Sequence, residues 1–216
     1  MRKRFDKKLH QLQDEIMAMG RKVEKQLQAS LKALKNLDAK LAQKVIAGDE
    51  AVNARRNSIE AKCFELIVTQ QPAAGDLRAI MAVINMIVDL ERMGDQAKNV
   101  AKIVPNLADH PSWTEVEGIQ HIGQLVISML NQSLLAYEQN DVKLAEFVLA
   151  QDKEVDDIFD QVLNQVMEMM AKTTQQDKVE AEYDILRAAR ELERFGDLAT
   201  NIAERVIYIS TGEVST

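Results

Sequence analysis

Residues 89–102 read DLERMGDQAKNVAK, and residues 191–204 read ELERFGDLATNIAE. The same pattern of fourteen residues therefore occurs twice, each time inside a long segment whose apolar spacing predicts a helix. Matching residues lie 102 positions apart here and 103 positions apart farther upstream, as Gly20 and Gly123 do. Similarity that extends over half of the chain indicates an internal duplication of one folding unit.

The composition favours helices in both halves of the chain. Of the 216 residues, 46% are hydrophobic and only 4% are aromatic, and the chain contains 8 Gly and 3 Pro. Few helix breakers and a helical apolar period predict an all-α fold without a sheet. We therefore expect two tandem three-helix bundles related by internal duplication, in residues 1–107 and 113–216.

Apolar periodicity in the first half predicts the bounds of three helices. They run from Phe5 to about Asn36, from the N-cap residue Asp38 to about Gln70, and from the turn at Pro72 to about Val104. Glycine weakens a helix, so we expect a bend in the second helix at Gly48 and Asp49. Residues 105–113 contain two of the three prolines and are predicted to form the linker between the halves.

The repeated motif places oxygen-bearing side chains at intervals of four residues. They are Glu91, Asp95 and Asn99 in the first copy and Glu193, Asp197 and Asn201 in the second. Each set forms a ridge about 12 Å long on its helix, so one small ion cannot contact all three members. Carboxylate and amide oxygens suit Mg²⁺, Ca²⁺, Mn²⁺, iron or Zn²⁺. Second-helix residues with the same spacing are candidates to complete the shell, namely Asp49, Asn53, Asp152 and Asp156.

The two ridges are also compatible with a role in folding alone. Acidic residues four apart on a helix usually form a solvated face, and a duplication copies structural features as well as functional ones. Each ridge also carries a mid-helix glycine, Gly94 or Gly196, at a cost of about 1 kcal/mol relative to alanine. Either close packing of helices or room for an ion or a partner's side chain would offset that cost.

Charge and hydropathy exclude several classes of partner. The net charge is −7, which disfavours electrostatic binding to nucleic acid. The longest apolar run, residues 79–88, is too short to insert across a bilayer. The single Cys63 has helical spacing with apolar neighbours, so we expect it in the core of a protein of the reducing cytoplasm.

Three stretches of this sequence carry a resemblance to a known family. The repeated L-E-R-x-G-D-x-A-x-N-x-A pattern, the QQPAAGDLR turn and the TNIAERVIYISTGE ending closely resemble PhoU-type phosphate transport regulators. The resemblance covers essentially the whole chain. It implies a cytoplasmic negative regulator of the phosphate regulon that acts between the ATPase subunit of the Pst phosphate ABC transporter and the sensor histidine kinase PhoR. It also implies a homodimer, although nothing in these residues demands one.

The same resemblance implies multinuclear iron or zinc clusters on the ridges. Carried over to this chain, it assigns them to the six ridge residues named above, with the four second-helix residues as weaker candidates. Many relatives carry a histidine directly after the second-motif aspartate, where this chain has Leu198. That departure predicts a site with oxygen ligands only, which would hold metal less tightly.

A metalloenzyme is the alternative from a different functional class. Di-iron bundles use Glu-x-x-His motifs, but none of His10, His110 and His121 has a glutamate three residues before it. A carboxylate-bridged metal-dependent hydrolase or oxidase stays conceivable, although no nucleophile arrangement or Gly-rich phosphate loop supports it. The sequence therefore favours a regulatory adaptor that is not an enzyme.

Overall fold

The computed structural model describes residues 2–108, 110, 116 and 118–212. Within these residues the chain forms seven helices and no strand, which confirms the all-α prediction. The helices are α1 (Arg2–Asn36), α2 (Ala39–Gly48), α3 (Glu50–Gln70), α4 (Ala74–Leu107), α5 (Ile119–Gln139), α6 (Val142–Lys172) and α7 (Gln176–Thr211). None of these described helices is both long enough and apolar enough to span a bilayer.

The helices form two units of the same design. Unit one consists of α1, the broken second helix α2 and α3, and α4, whereas unit two consists of α5, α6 and α7. The break in unit one falls at the predicted bend, since α2 ends at Gly48 and α3 begins at Glu50. Asp49 between them keeps helical backbone angles and is only 4% exposed. The second helix therefore bends at a residue that is turned into the interior.

Equivalent aspartates start the second helix in each unit. Asp38 accepts hydrogen bonds from the backbone N–H groups of Lys40 and Leu41, both at 3.0 Å. Its counterpart Asp141 accepts one from the N–H of Leu144 at 3.1 Å. These side chains satisfy helix N–H groups that have no intrahelical acceptor, which confirms the prediction of Asp38 as an N-cap.

The end of α4 corrects one sequence-based boundary. The helix was predicted to stop near Val104, but it continues through Pro105 to Leu107. The side chains of Val104 and Leu107 are fully buried, so packing holds this last turn although the proline lacks a backbone donor. Of the predicted linker, residues 109 and 111–113 lie outside the described residues.

The two units share one continuous core. Helix α4 packs on α7, and α1 packs on α5. A Cβ atom at Gly20 would lie 2.3 Å from Cδ1 of Leu134, and one at Gly123 would lie 2.6 Å from Cδ1 of Leu31. Gly20 corresponds to Gly123 in the repeat, and Leu31 corresponds to Leu134. The glycine of each unit thus receives the leucine of the other, as a local two-fold relation between the units requires.

Buried serines fix the first helix of each unit against the third. The hydroxyl of Ser30 donates to the carbonyl of Ala97 at 2.7 Å, and the hydroxyl of Ser133 donates to the carbonyl of Ala199 at 2.8 Å. Both carbonyls lie within the repeated motif. The motif helices are therefore held at the same height in both units. Cys63 is fully buried, as expected for a core residue.

At position 182 the second unit buries a carboxylate where the first unit has an apolar residue, and this difference predicts that an apolar substitution there stabilises the fold. Glu182 of unit two occupies the place of the buried Ile80; it is 5% exposed, and its Oε2 atom has no hydrogen-bond partner within the described structure. We expect Glu182→Ile to stabilise the fold by about 1–2 kcal/mol at neutral pH, because it removes an unpaired polar group. Thermal denaturation of both proteins measures the change.

The pH dependence of that gain follows from the protonation of Glu182. Burial raises the pKa of Glu182 in the folded state, so the folded protein binds the proton more tightly than the unfolded chain. The destabilisation caused by burying the charged carboxylate is absent at pH values below the pKa that Glu182 has in the unfolded chain. It appears as the pH rises through the pKa that Glu182 has in the folded protein. The advantage of Glu182→Ile should therefore be smaller near pH 4 than near pH 8. An advantage that grows in acid would contradict a burial penalty on the charged glutamate.

Candidate functional site

The glycine beside each ridge lies against the first and second helices of its own unit. A Cβ atom at Gly94 would lie 3.3 Å from Cγ1 of Val52, 3.4 Å from Oδ1 of Asp49 and 3.5 Å from Oε1 of Gln26. A Cβ atom at Gly196 would lie 3.3 Å from Cγ1 of Val126 and 3.5 Å from Cγ1 of Val155. The mid-helix glycines therefore permit close packing of helices, and Gly94 also makes room for the buried carboxylate of Asp49.

In unit one, a lysine lies between two of the predicted ligands. The ammonium group of Lys98 donates to Oδ2 of Asp49 at 2.6 Å and also donates to Oδ1 of Asp95. The amide of Gln26 donates to Oδ1 of Asp49 at 3.2 Å. Burial lowers the pKa of Lys98, but the hydrogen bonds to both aspartates outweigh it and leave that pKa above its usual value. In unit one, the ammonium group of Lys98 thus supplies the positive charge between these two carboxylates.

Three candidates of unit one remain, and of these Glu91 lies beside this group. Burial raises the pKa of Glu91; the charges of Asp95 and Asp49 raise it further, whereas the neighbouring Arg56 lowers it. The structure therefore brings Glu91, Asp95 and Asp49 together. Asn53 is half-buried on α3, and its Oδ1 atom has no hydrogen-bond partner within the described residues.

Unit two has the equivalent acidic residues, with Asp156 added at the position of Asn53, but it lacks the lysine. Thr200 stands at the position of Lys98, and its hydroxyl donates to the backbone carbonyl of Asp197 at 2.7 Å. The acidic cluster of unit two consists of Asp152, Asp156, Glu193 and Asp197. Arg190 donates to Oε1 of Glu193 at 3.3 Å from a half-exposed position. Negative charge is therefore less compensated here than in unit one.

Burial, and after it the neighbouring carboxylates, raises pKa values within this cluster. Burial raises the pKa of Asp152, and the charges of Asp197 and Asp156 add to that effect. Burial also raises the pKa of Asp197; the charges of Glu193 and Asp156 raise it further, whereas two nearby arginines, Arg190 and Arg194, lower it. The four side chains thus interact electrostatically with one another. Such a group attracts a cation more strongly than a group that is already paired with lysine.

The two ridge asparagines take part in the interface between the units. The amide of Asn99 donates to Oε2 of Glu191 at 3.1 Å, and Asn201 is hydrogen-bonded to Asp89. Asp89 and Glu191 are equivalent in the repeat, as are the two asparagines, so these bonds are reciprocal. Burial raises the pKa of Asp89 to about 6. Each asparagine therefore binds an acid of the other unit.

Three functional neighbours escaped the sequence analysis. Lys98 was overlooked, although its replacement by Thr200 in the second copy was visible in the repeat. Asp89 and Glu191 begin the two quoted stretches, and an acid in both copies was the available signal. None of the three follows from the four-residue spacing that defined the ridges.

The two units differ in how well their chemistry suits a metal cluster. Across the described part of the chain, no three or more His, Cys, Asp or Glu side chains are arranged to hold a metal ion. In unit one, Lys98 occupies the space between the aspartates, so these residues do not fit a cation. In unit two, four carboxylates without a lysine supply oxygen donors of a kind that zinc accepts, although in this structure they too are not arranged to hold a metal ion. Metal binding stays a prediction.

Both units match the same protein family. The family model described as "PhoU domain" matches residues 16–104 and 119–206, one match in each unit. A phosphate-specific transport system accessory protein PhoU homolog of Clostridium acetobutylicum is 34% identical over 213 residues, which cover 98% of this chain and 96% of that protein. The homolog of Pseudomonas aeruginosa is 35% identical, and the match covers 96% of this chain and 86% of that protein.

Solved structures agree with that assignment. The crystal structure of PhoU from Pseudomonas aeruginosa has a TM-score of 0.89 at 35% identity and covers 97% of this chain and 100% of its own. That of the phosphate transport system regulatory protein PhoU from Streptococcus pneumoniae has a TM-score of 0.91 at 29% identity, covering 98% and 99%. With one helical unit for each domain match, and relatives aligned along nearly their whole length, this chain belongs to the PhoU family.

Proposed function

We propose that this protein is a negative regulator of phosphate uptake and of the phosphate regulon. It acts in the cytoplasm as a non-enzymatic adaptor, works as a homodimer, and contacts the ATPase subunit of a phosphate ABC transporter and a PhoR-type sensor kinase. The observation that carries this proposal is the match of both units to the PhoU domain, with relatives named as phosphate-specific transport accessory proteins along nearly the whole chain.

The architecture supports an adaptor in a second way. The units are joined by a shared core and by reciprocal hydrogen bonds, so the outer helices, α2 and α3 in unit one and α6 in unit two, lie in a fixed relation. Equivalent positions of the two units carry different side chains, such as Lys98 and Thr200. A rigid body with two related but unequal faces can hold two different partners at once.

Complementation tests the regulatory role. The protein is expressed in a bacterium whose own regulator gene is deleted and whose phosphate-responsive promoter drives a reporter. In high phosphate we expect it to restore repression, and the transporter ATPase subunit should co-purify with it. A folded protein that leaves the reporter fully active and captures neither the ATPase subunit nor the kinase would refute the adaptor function.

We further propose that the acidic cluster of unit two binds iron or zinc. Asp152, Asp156, Glu193 and Asp197 would hold the metal, which would supply positive charge to a crowded group of carboxylates. Support comes from the missing lysine at Thr200 and from the neighbouring carboxylates, whose charges add to burial in raising the pKa values of Asp152 and Asp197. This proposal assigns the metal to unit two rather than to both ridges.

Elemental analysis of protein purified without chelator or metal-affinity resin tests this assignment. Asp156→Asn/Asp197→Asn should abolish bound metal, whereas the matched change Asp95→Asn in unit one should leave the metal content unchanged. Circular dichroism verifies that all three proteins are folded. Equal metal loss in both variants, or a wild-type protein that takes up no iron or zinc, would refute the assignment.

A further inference from the structure

The two units differ sharply in the charge of their first helical hairpins. Residues 21–48 contain seven Lys or Arg and two Asp or Glu, whereas the equivalent residues 124–151 contain one lysine and three acids. The chain as a whole carries a net charge of −7, so this basic stretch departs from the average composition. Both hairpins have the same fold because of the duplication. Only the hairpin of unit one is rich in lysine and arginine.

These cations line a groove between α1 and α2. Lys22, Lys25 and Lys44 surround an open depression of about 300 Å³, and its other walls are Gln26, Ala29, Leu41, Val45 and Gly48. Lys25 and Lys44 are exposed, and Lys22 is half-buried. We name this depression the lysine groove. Its base is apolar and its rim is positively charged, because the apolar walls lie between the lysine-bearing faces of the two helices.

The charges of the lysine groove have no carboxylate of their own. Within the described residues, none of its three lysines forms an ion pair, whereas Lys8 pairs with Glu65 and Lys62 pairs with Glu15 on the neighbouring α1–α3 face. Asp49, which directly follows the groove residue Gly48, is already bound by Lys98 and Gln26. Three lysines thus line a depression with an apolar base, and none of them has an ion-pair partner among the described residues.

Unit two shows which features of the groove are not needed for folding. Leu125, Ser128 and Phe147 occupy the positions of Lys22, Lys25 and Lys44. Phe147 is 54% exposed, so the equivalent face of unit two is more apolar and uncharged. The same fold forms with lysines or with uncharged side chains at these three positions. Packing therefore does not account for the lysines of unit one.

We propose that the lysine groove docks an acidic amphipathic helix of a partner protein. Carboxylates of that helix would meet the three ammonium groups, while its apolar side chains would cover Ala29, Leu41 and Val45. A free inorganic phosphate would use the charges but leave the apolar base exposed. That the occupant is a protein segment rests on the proposed adaptor function, and the groove specifies the chemistry of one of its two partners.

A peptide probe tests the groove directly on the full-length protein. The probe is a fluorescent peptide of Glu and Leu with an amphipathic helical pattern, and its comparison is a scrambled peptide of the same composition. Fluorescence anisotropy at low salt should show tighter binding of the patterned peptide. Lys25→Gln/Lys44→Gln should weaken that binding by about tenfold, and added salt should weaken it as well.

A matched charge change separates the groove from general electrostatics. Lys143→Gln/Lys153→Gln removes two exposed lysines from unit two and should leave the affinity unchanged. Equal weakening by both variants, equal binding of the scrambled peptide, or binding only to phosphatidylglycerol vesicles or inorganic phosphate would each overturn the proposal. The reporter assay keeps the two proposals distinct: a wild-type protein that represses while the groove proposal fails leaves the adaptor function standing.

Discussion

Replacement of Lys98 by methionine is expected to destabilise the protein by about 2–4 kcal/mol. Lys98 is the only ammonium group within hydrogen-bond distance of Asp49 in the described structure, and Asp49 is 4% exposed. Without it, a carboxylate held only by Gln26 would stay buried beside Glu91 and Asp95. An uncompensated buried charge is far costlier than the loss of a surface pair. Urea denaturation in the presence of chelator measures the change without a contribution from metal.

Two further variants distinguish this cause from a general effect of losing a lysine. Lys102→Met lies one turn along the same helix at an exposed position, and we expect a change of less than about 0.5 kcal/mol. Asp49→Asn/Lys98→Met should recover most of the loss, because the neutral amide no longer needs a cation. If the double variant is as unstable as Lys98→Met alone, the pairing with Asp49 is not the source of the destabilisation.

The arrangement of helices could be predicted because it depends on residue patterns that can be read directly from the sequence. Apolar periodicity outlined the three helices of the first half, Asp38 marked one helix start, and an offset of 103 and then 102 residues revealed the duplication. The end of α4 was predicted less well. Proline suggested a stop at residue 105, but the burial of Val104 and Leu107 outweighed the missing hydrogen bond.

The composition of the site was harder to predict, because it depends on the rotation of each helix. Residues eight apart, such as Glu91 and Asn99, lie about 80° apart around the axis, which suffices for them to face different neighbours. Glu91 faces the second helix of its own unit, whereas Asn99 reaches Glu191 of the other. The regular spacing predicted a single ridge of ligands. In the structure, one part of that ridge faces the second helix of its own unit, and another part contacts the other unit.

Lys98 illustrates a second limit of the sequence. It lies three residues after Asp95, a spacing at which a lysine and an aspartate can pair or can both point to water. The buried carboxylate of Asp49, far away along the chain, decides between these outcomes. A long-range contact of that kind becomes visible only once α2 and α3 are packed against α4.

Enlargement of Gly20 to valine is expected to destabilise the contact between the units by about 2–3 kcal/mol. A Cβ atom at this position would lie 2.3 Å from Cδ1 of Leu134, and the leucine has little room to retreat because it is buried in the shared core. The valine must therefore displace either the leucine or α5 itself. Thermal denaturation should show a lower midpoint, and the same result is expected for Gly123→Val, which would collide with Leu31.

A compensating change tests whether steric contact causes this loss. Gly20→Val/Leu134→Ala restores the total side-chain volume at the contact, so it should be more stable than Gly20→Val. Gly48→Ala serves as the opposite control, since nothing lies within 4 Å of its Cβ position, and it should stabilise the helix by about 0.5–1 kcal/mol. If Leu134→Ala adds its own loss to that of Gly20→Val instead of relieving it, steric contact between the units is not what requires glycine here. Recovery would instead mean that reciprocal glycine–leucine contacts set the distance between the units, and with it the spacing of the two outer faces.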